Sequence, residues 1–532
     1  MSSSIYSESW QVFKARDLPE NKTLEADIVI IGSGAGGGIS AEIFAKKGLK
    51  VILLEEGPYR SKMQFNMLEK EAYPDLYQES AGRKTKDKAI SILQGRSVGG
   101  STTVNWTTSF RTPNRTLDHW HKHFGVNDTN SETMLPWFEA IEEQLSIKPW
   151  PVAANENNQI LARGMDKLGW SSKVIARNVK GCANLGYCGM GCPLDAKQSM
   201  LVTTIPSALD SGATLISRAR VERFEFSNGK ITSAKVQPLH SNGKVSNGKS
   251  APLSLITIKA KHFILSAGAM GSPAILMRSK APDPYLKLGK RTFLHPTTIS
   301  ASIMADKVNS FSGAPQSLYS DEFLWRDGVE GEMGYKLEVP PMHPLLSSIM
   351  MPNHGQSHRR LMEQLPFMHA MIALHRDGFN DKNIGGKVEL NEFNLPVLDY
   401  QFTDTFWRSA RESLLKMAEI QFAAGAKQVQ PMHLDATITS SWGQAKSMIN
   451  NLSMEALKLT VFSAHVMGGC AMGDNEKNSV VNAYGRHHQI NNLHIIDGSV
   501  FPTSLGVNPQ LSIYALAKRN ATLLAEDIYP SS

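Results

Sequence analysis

Three of the four cysteines in this 532-residue chain fall in one short stretch, "GCANLGYCGMGCPLDAKQ", residues 181–198. Cys182, Cys188 and Cys192 follow the spacing C-x5-C-x3-C-P. Three thiolates on one glycine-rich loop suit an iron–sulfur cluster, and a proline after the last cysteine is common near such sites. The same residues also read as ordinary reduced thiols, a disulfide or a zinc site. A second chemical signal lies near the amino terminus, where Gly32, Gly34 and Gly37 form G-x-G-x-x-G. In that pattern the first glycine permits a tight turn, the second lets backbone approach a pyrophosphate, and the third lets helix pack on strand.

These residues need particular elements to hold them. The apolar, β-branched run Ile28–Ile31 reads as a strand entering the turn Gly32, Ser33, Gly34, Ala35, Gly36 and Gly37. A helical pattern follows from Ile39 to Lys46, then a buried strand from Val51 to Leu54. The pyrophosphate would rest on unpaired N–H groups at the helix N-terminus. Glu55, with Glu56 after it, ends the second strand, where an acid accepts hydrogen bonds from an adenosine ribose. An acid at this place favours NAD or FAD over NADP and does not separate the first two.

Composition sets the outer limits. At 41% hydrophobic and 20% charged, the chain suits a globular enzyme with a large core and two or more domains. Four cysteines are too few for a disulfide scaffold, so a reducing compartment is the default. The start shows no signal-peptide pattern, and no apolar run reaches the roughly 18 residues that cross a bilayer. The expected location is the cytoplasm, with peripheral contact at the inner face of the membrane as a variant. A net charge of +7 comes from scattered Lys and Arg, without a nucleic-acid module, so no nucleic-acid partner is expected; weak attraction to anionic headgroups remains compatible.

Three later stretches extend the pattern: "GRSVGGSTTVNWTTSFRTP" (95–113), "HFILSAGAMGSPAILMRS" (262–279) and Phe462–Asn520, which holds "SAHVMGGCAMG", "LHIIDGS" and "GVNPQLSIYALAKRN". With the amino-terminal motif, these four ordered segments resemble the glucose–methanol–choline (GMC) flavoprotein oxidoreductases over most of the chain. The resemblance implies FAD rather than NAD. It places Arg96, Gly99, Gly100, Ser101 and Asn105 along the cofactor, Val221 by the adenine, Asp497 and Gly498 at the ribityl and phosphate region, and Pro509 among the cofactor-binding residues. It implies that His465 is the base in oxidation of an alcohol to a carbonyl, with hydride transfer to flavin N5, and that Asn508 is its partner. An imidazole titrating near neutrality suits that task. His295 in "FLHPTT" also resembles a family position and receives no role, while His343, His354, His358, His369 and His375 read as packing or solvated histidines.

The implied fold is α/β: a Rossmann-like FAD-binding domain, with parallel sheet and β-meander, and a second, antiparallel-sheet substrate domain. The expected division is 1–281 and 451–532 for the FAD domain, with 282–450 between them. Val221–Val236 reads as a hairpin turning at Asn228-Gly229, "LSLITIKA" as a further strand, and His240–Lys249 as an exposed turn. Seven methionines between Met333 and Met371 (also Met342, Met350, Met351, Met362 and Met368) either fill core or line an adaptable apolar cavity. Aromatic content of 8% argues against a sugar site, so a hydrophobic primary or secondary alcohol is expected. The cysteine loop resembles a branch holding long-chain alcohol oxidases and bacterial membrane-linked dehydrogenases; in some sugar dehydrogenases this spacing carries a 3Fe-4S cluster. Cys470 is expected only to pack. The electron acceptor stays open among dioxygen, a quinone and a cytochrome, and a non-redox lyase or photochemical use of the fold is the alternative.

Overall fold

The computed structural model describes residues 9–245, 253–325, 327–352 and 354–530. Two large sheets organise it. In the first, Gln11–Lys14, Thr214–Ser217, Val51–Glu55, Thr23–Ile31 and Ile256–Leu265 run parallel in that spatial order. Lys230–Pro238 and Ala219–Ser227 then continue antiparallel as a meander, and Leu493–Ile495 joins the far end of Ile256–Leu265. Ile28–Ile31 is buried on both faces, which is why it reads as an unbroken β-branched run rather than an alternation. The hairpin turns where expected. Asn228 and Gly229 both take positive φ, 49° and 71°, the pairing that a type I′ turn requires. Of the expected exposed turn at His240–Lys249, the "SNGK" at 241–244 forms a turn closed by the Gly243 amide on the His240 carbonyl, while the one at 246–249 lies outside the described residues.

The glycine-rich turn departs from expectation in one respect. The helix begins at Ala35, four residues before the apolar pattern starts at Ile39, and runs to Lys46. Its first turn is nearly all glycine because other chain lies against it. A Cβ on Gly36 would stand 1.7 Å from the carbonyl oxygen of Ile496, and one on Gly37 would stand 1.8 Å from that of Gly32. The outer face is covered by the helices Gln510–Ile528 and Thr204–Asp210.

The second sheet is ordered Ile90–Ile92, Val461–Ser463, Thr297–Ile303, Met368–His375, Tyr335–Glu338, Leu318–Ser320 and Lys173–Val174, with Gln428–Pro431 also pairing with Thr297–Ile303. It is antiparallel except where Ile90–Ile92 meets Val461–Ser463. It therefore takes strands from residues 90–92, 173–174 and 461–463 as well as from 282–450. The helix Asp404–Ala423 lies against one face. Met371, Ala373, Tyr335 and Leu337 belong to that helix-side core. Register puts their neighbours on the other face: Lys336 is opposite Leu374, Glu338 opposite Ile372, and Thr297 opposite both Leu374 and Phe462. The methionines divide between the two faces, Met368 and Met371 by the strand's period of two. Met333 and Met371 join the helix-side core, while Met342, Met351 and Met368 cluster with Leu365 and Ala370 across the sheet.

Candidate active site

The glycine turn and the "GRSVGGS" loop come together at the N-terminus of the helix Ala35–Lys46. Gly100, at φ +55°, lies against Gly34, where a Cβ would stand 2.8 Å from the Gly34 Cα. The Ser33 hydroxyl accepts from the Gly99 amide at 3.0 Å and donates to Glu55 Oε2 at 2.6 Å. Glu55 also accepts from the amides of Ser33 (3.1 Å) and Gly57 (2.7 Å), and burial raises its proton affinity. Glu56 pairs with Arg96 at 2.9 Å. Burial opposes its charge, but the cations of Arg96, Arg220 and Arg83 outweigh burial and lower its pKa. Arg96 also donates to the Gly243 carbonyl.

That helix end fits a pyrophosphate. It has no side-chain cap, no acid in its first turn, and glycine backbone that a ligand can approach. Asp497 and Gly498 follow the Ile496 carbonyl that touches Gly36. The Asp497 carboxylate accepts from the Gly268 amide (2.8 Å), the Ser272 hydroxyl (2.6 Å) and the Ser499 amide (2.8 Å), so it ties two glycine-containing turns together. The Ser101 hydroxyl accepts from the Gly95 amide, and Asn105 donates to Gln510 Oε1 at 2.5 Å. Val221 is buried in the meander, its carbonyl accepting from Arg278. Pro509 precedes the helix Gln510–Ile528 and follows Asn508.

The chemistry-bearing residues lie at the end of the second sheet. His465 follows the strand Val461–Ser463, and its Nδ1 is 2.9 Å from Nδ1 of His295. Sequence reasoning gave His295 no role, yet it is the direct partner of His465. The polarity of this contact is set by backbone. The Gly506 amide donates to His295 Nε2 at 3.2 Å, so neutral His295 carries its proton on Nδ1 and donates it to His465. The His465 proton is then on Nε2. Burial, then the Lys336 cation, lowers the His465 pKa to about 3, and burial drives His295 well below its ordinary value. Both rings are neutral near pH 7.

Asn508 sits in a second polar group. Lys336 Nζ donates to its Oδ1 at 3.0 Å and lies 2.9 Å from Glu338 Oε1. The Asn508 amide donates to Glu338 Oε2 at 3.2 Å, and Gln316 donates to the same oxygen at 2.5 Å. Lys336 and Glu338 are 1% and 0% exposed, and the ammonium rests 3.0 Å from the centroid of the Phe110 ring. Burial lowers the Lys336 pKa to about 8 against the pull of Glu338. The missed signal was "YKLE": two charges at i and i+2 in an otherwise apolar strand share one buried face.

From this polar end the same sheet face continues as an apolar surface. Ile299, Ile372, Leu374, Met432 and Phe462 form one cluster, contiguous through Ala301 and Ile303 with the cluster of Met351 and Met368.

The cysteine loop packs on the cofactor-side segment. Lys197 donates to the carbonyls of Thr103, Asn105 and Cys188 at 2.6–2.7 Å, and Tyr77 donates to that of Gly189. All four thiols are free; burial raises Cys182, and Cys470 is fully buried, as a packing residue would be. Among the described residues the donor set within reach of a single ion is His119, His123 and Glu330, not the three thiols. Arg177 donates to Cys188 Sγ at 3.7 Å and the Asn184 amide to Cys182 Sγ at 3.4 Å, so two of the sulfurs already have protein partners. An iron–sulfur cluster finds no support in this arrangement.

Residues 73–297 and 384–517 match the N-terminal and C-terminal families described as GMC oxidoreductase. An uncharacterised GMC-type oxidoreductase of Sinorhizobium fredii is 27% identical, covering 94% of each chain. A long-chain-alcohol oxidase of Arabidopsis thaliana is 26% identical over 93% of this chain and 68% of its own. Pyridoxine 4-oxidase from Mesorbium loti superposes with a TM-score of 0.67 at 17% identity, covering 93% of this chain and 98% of that one. Formate oxidase of Aspergillus oryzae, whose FAD modification was studied by mutation, gives 0.68 at 13%, covering 96% and 99%.

Proposed function

The chain belongs to the GMC oxidoreductase family as an FAD-dependent oxidoreductase, and from that premise we propose that it oxidises the CH–OH group of an apolar alcohol to a carbonyl. The carrying observation is the shared sheet face: Lys336 and Glu338, with Asn508 against them, lie in register beside Leu374, Ile372, Ile299 and Phe462. A hydroxyl bound at the polar end leaves its hydrocarbon against the apolar end. The relatives named long-chain-alcohol oxidase support the same reading.

FAD, when bound, supplies the two-electron acceptor for the hydride of the carbinol carbon. The residues to hold it are the 32–37 turn, Glu55, the 96–101 loop, Asn105, Val221, Asp497 and Gly498. The chain's own work is at the hydroxyl. His465 Nε2 faces the oxygen and takes its proton, while the Asn508 amide donates to the same oxygen. To accept at Nε2, His465 must first carry its own proton on Nδ1. His295 then holds its proton on Nε2, and the Gly506 amide must yield. The resting pair has the opposite polarity, so reaching this state moves two protons: the shared Nδ1 proton passes from His295 to His465, and the Nε2 proton leaves His465 for solvent while solvent supplies one to His295 Nε2.

The test is anaerobic addition of straight-chain primary alcohols to the yellow holoprotein. Bleaching of the flavin by wild type, abolished in His465→Ala, is the expected result. A flavin that no alcohol reduces would overturn the assignment.

A further inference from the structure

Lys336 has no part in the proton and hydride transfers, yet its charged side chain is only 1% exposed. We propose that Lys336 is a positioning residue: clamped between Glu338 and Phe110, it fixes the orientation of the Asn508 amide and holds a positive charge beside His465. This rests on the alcohol-oxidising reading and adds a residue to it.

The orientation follows from donor and acceptor inventory. An ammonium only donates and an ionised carboxylate only accepts. With Lys336 on one side and Glu338 on the other, the carboxamide can sit one way round only, Oδ1 to Lys336 and Nδ2 to Glu338. One amide N–H is left over for the hydroxyl oxygen. The clamp is itself braced, since Glu338 Oε2 accepts from Gln316, whose Oε1 accepts from Thr108. A buried pair held so tightly loses more by missing one partner than by losing both.

The charge has a second effect. The groups acting on His465 are His295 at 2.9 Å and Lys336; Glu338 pairs with Lys336, Tyr319 lies under it at 4.9 Å, and His375 acts on His295 rather than His465. The nearby cation keeps His465 unprotonated, the form a base needs, and weakens its pull on the proton. The same cation stabilises negative charge developing on the substrate oxygen, which offsets that weakness. Because the ammonium itself deprotonates near pH 8, the stabilisation fades above that pH.

Two measurements test this. In anaerobic flavin reduction by a primary alcohol across pH 6–10, wild type should slow above pH ~8 as the ammonium deprotonates. Lys336→Arg should recover most of the rate and push that alkaline limb upward. Lys336→Met should lose about 100-fold in the reduction rate with KM nearly unchanged, the loss typical of one transition-state donor. If the single variant does not fold, Lys336→Met/Glu338→Met, which removes the pair together, carries the same expectation. Independently of any substrate, NMR of labelled histidine, with His465 identified through His465→Gln, should show that imidazole neutral in wild type down to pH ~5 and its midpoint raised when Lys336 becomes Met. An unmoved midpoint and an alkaline limb retained in Lys336→Arg overturn the proposal. Failure of every alcohol to reduce the flavin would sink the functional reading, while the NMR result would still decide the role of Lys336.

Discussion

Lengthening the alcohol one methylene at a time probes the apolar sheet face directly. The strand Thr297–Ile303 spans six residue steps, about 20 Å at ~3.4 Å per residue, and its alternate residues Ile299, Ala301 and Ile303 lie on the substrate side. Each CH2 moved from water onto that face gains about 0.8 kcal/mol, which is about fourfold in kcat/KM. The gain should repeat until the chain outruns the face near Ile303 and Met368. Met368→Asn puts an amide at its far end, opposite Ile303 and away from Glu338, and an unpaired buried amide costs about 1–3 kcal/mol. The variant should therefore lose about 5- to 150-fold in kcat/KM on long alcohols, and nearly nothing on alcohols too short to reach residue 368. The assay is stopped-flow flavin reduction under argon across the homologous series, for both proteins. A slope under about 1.5-fold per methylene, or a wild type that prefers polyols, would refute the assignment of this face to the hydrocarbon.

Replacing His465 by Gln should slow flavin reduction by about 10²- to 10⁴-fold while FAD stays bound, measured by absorbance and single turnover. Gly36→Ala should yield protein without flavin, or none soluble, because its Cβ would stand 1.7 Å from the Ile496 oxygen; flavin content per chain is the readout. Changing Cys182, Cys188 and Cys192 together to Ser should leave the flavin spectrum intact, and metal analysis of wild type should find only trace iron. Acid should unfold the protein early. His369, His375, His465 and His494 have pKa values lowered to about 3 by burial, so they are neutral when folded and take up protons when unfolded. Their contribution is complete above pH ~6.5 and is lost as pH falls toward 3, at about 1.4 kcal/mol per histidine per pH unit. Tm should drop steeply between pH 6.5 and 5.

Much of the cofactor side was legible because local rules dictate it. The strand into Gly32, the acid at Glu55, and the hairpin at Asn228-Gly229 each announce themselves within a few residues. The substrate side was less so. Its strands include Ile90–Ile92 and Val461–Ser463, three residues each, too short for any periodicity to declare. His295 and Lys336 gain meaning only through strand pairing, which brings His295 against His465 across 170 residues of chain and sets Lys336 opposite Leu374. The methionines were readable as core or as cavity lining, and the sheet's two faces divide them between both neighbourhoods.

The interleaving of strands 90–92, 173–174 and 461–463 into the second sheet has a consequence for biosynthesis. A ribosome that has released residues 1–281 has delivered two edges of a sheet whose centre is still unmade, and it must hold them until residue 463 emerges. Neither half is expected to fold alone as an autonomous fragment, since each lacks sheet partners the other supplies. A split or circularly permuted version should work only if its cut spares all of these short strands, because each stitches early chain to late.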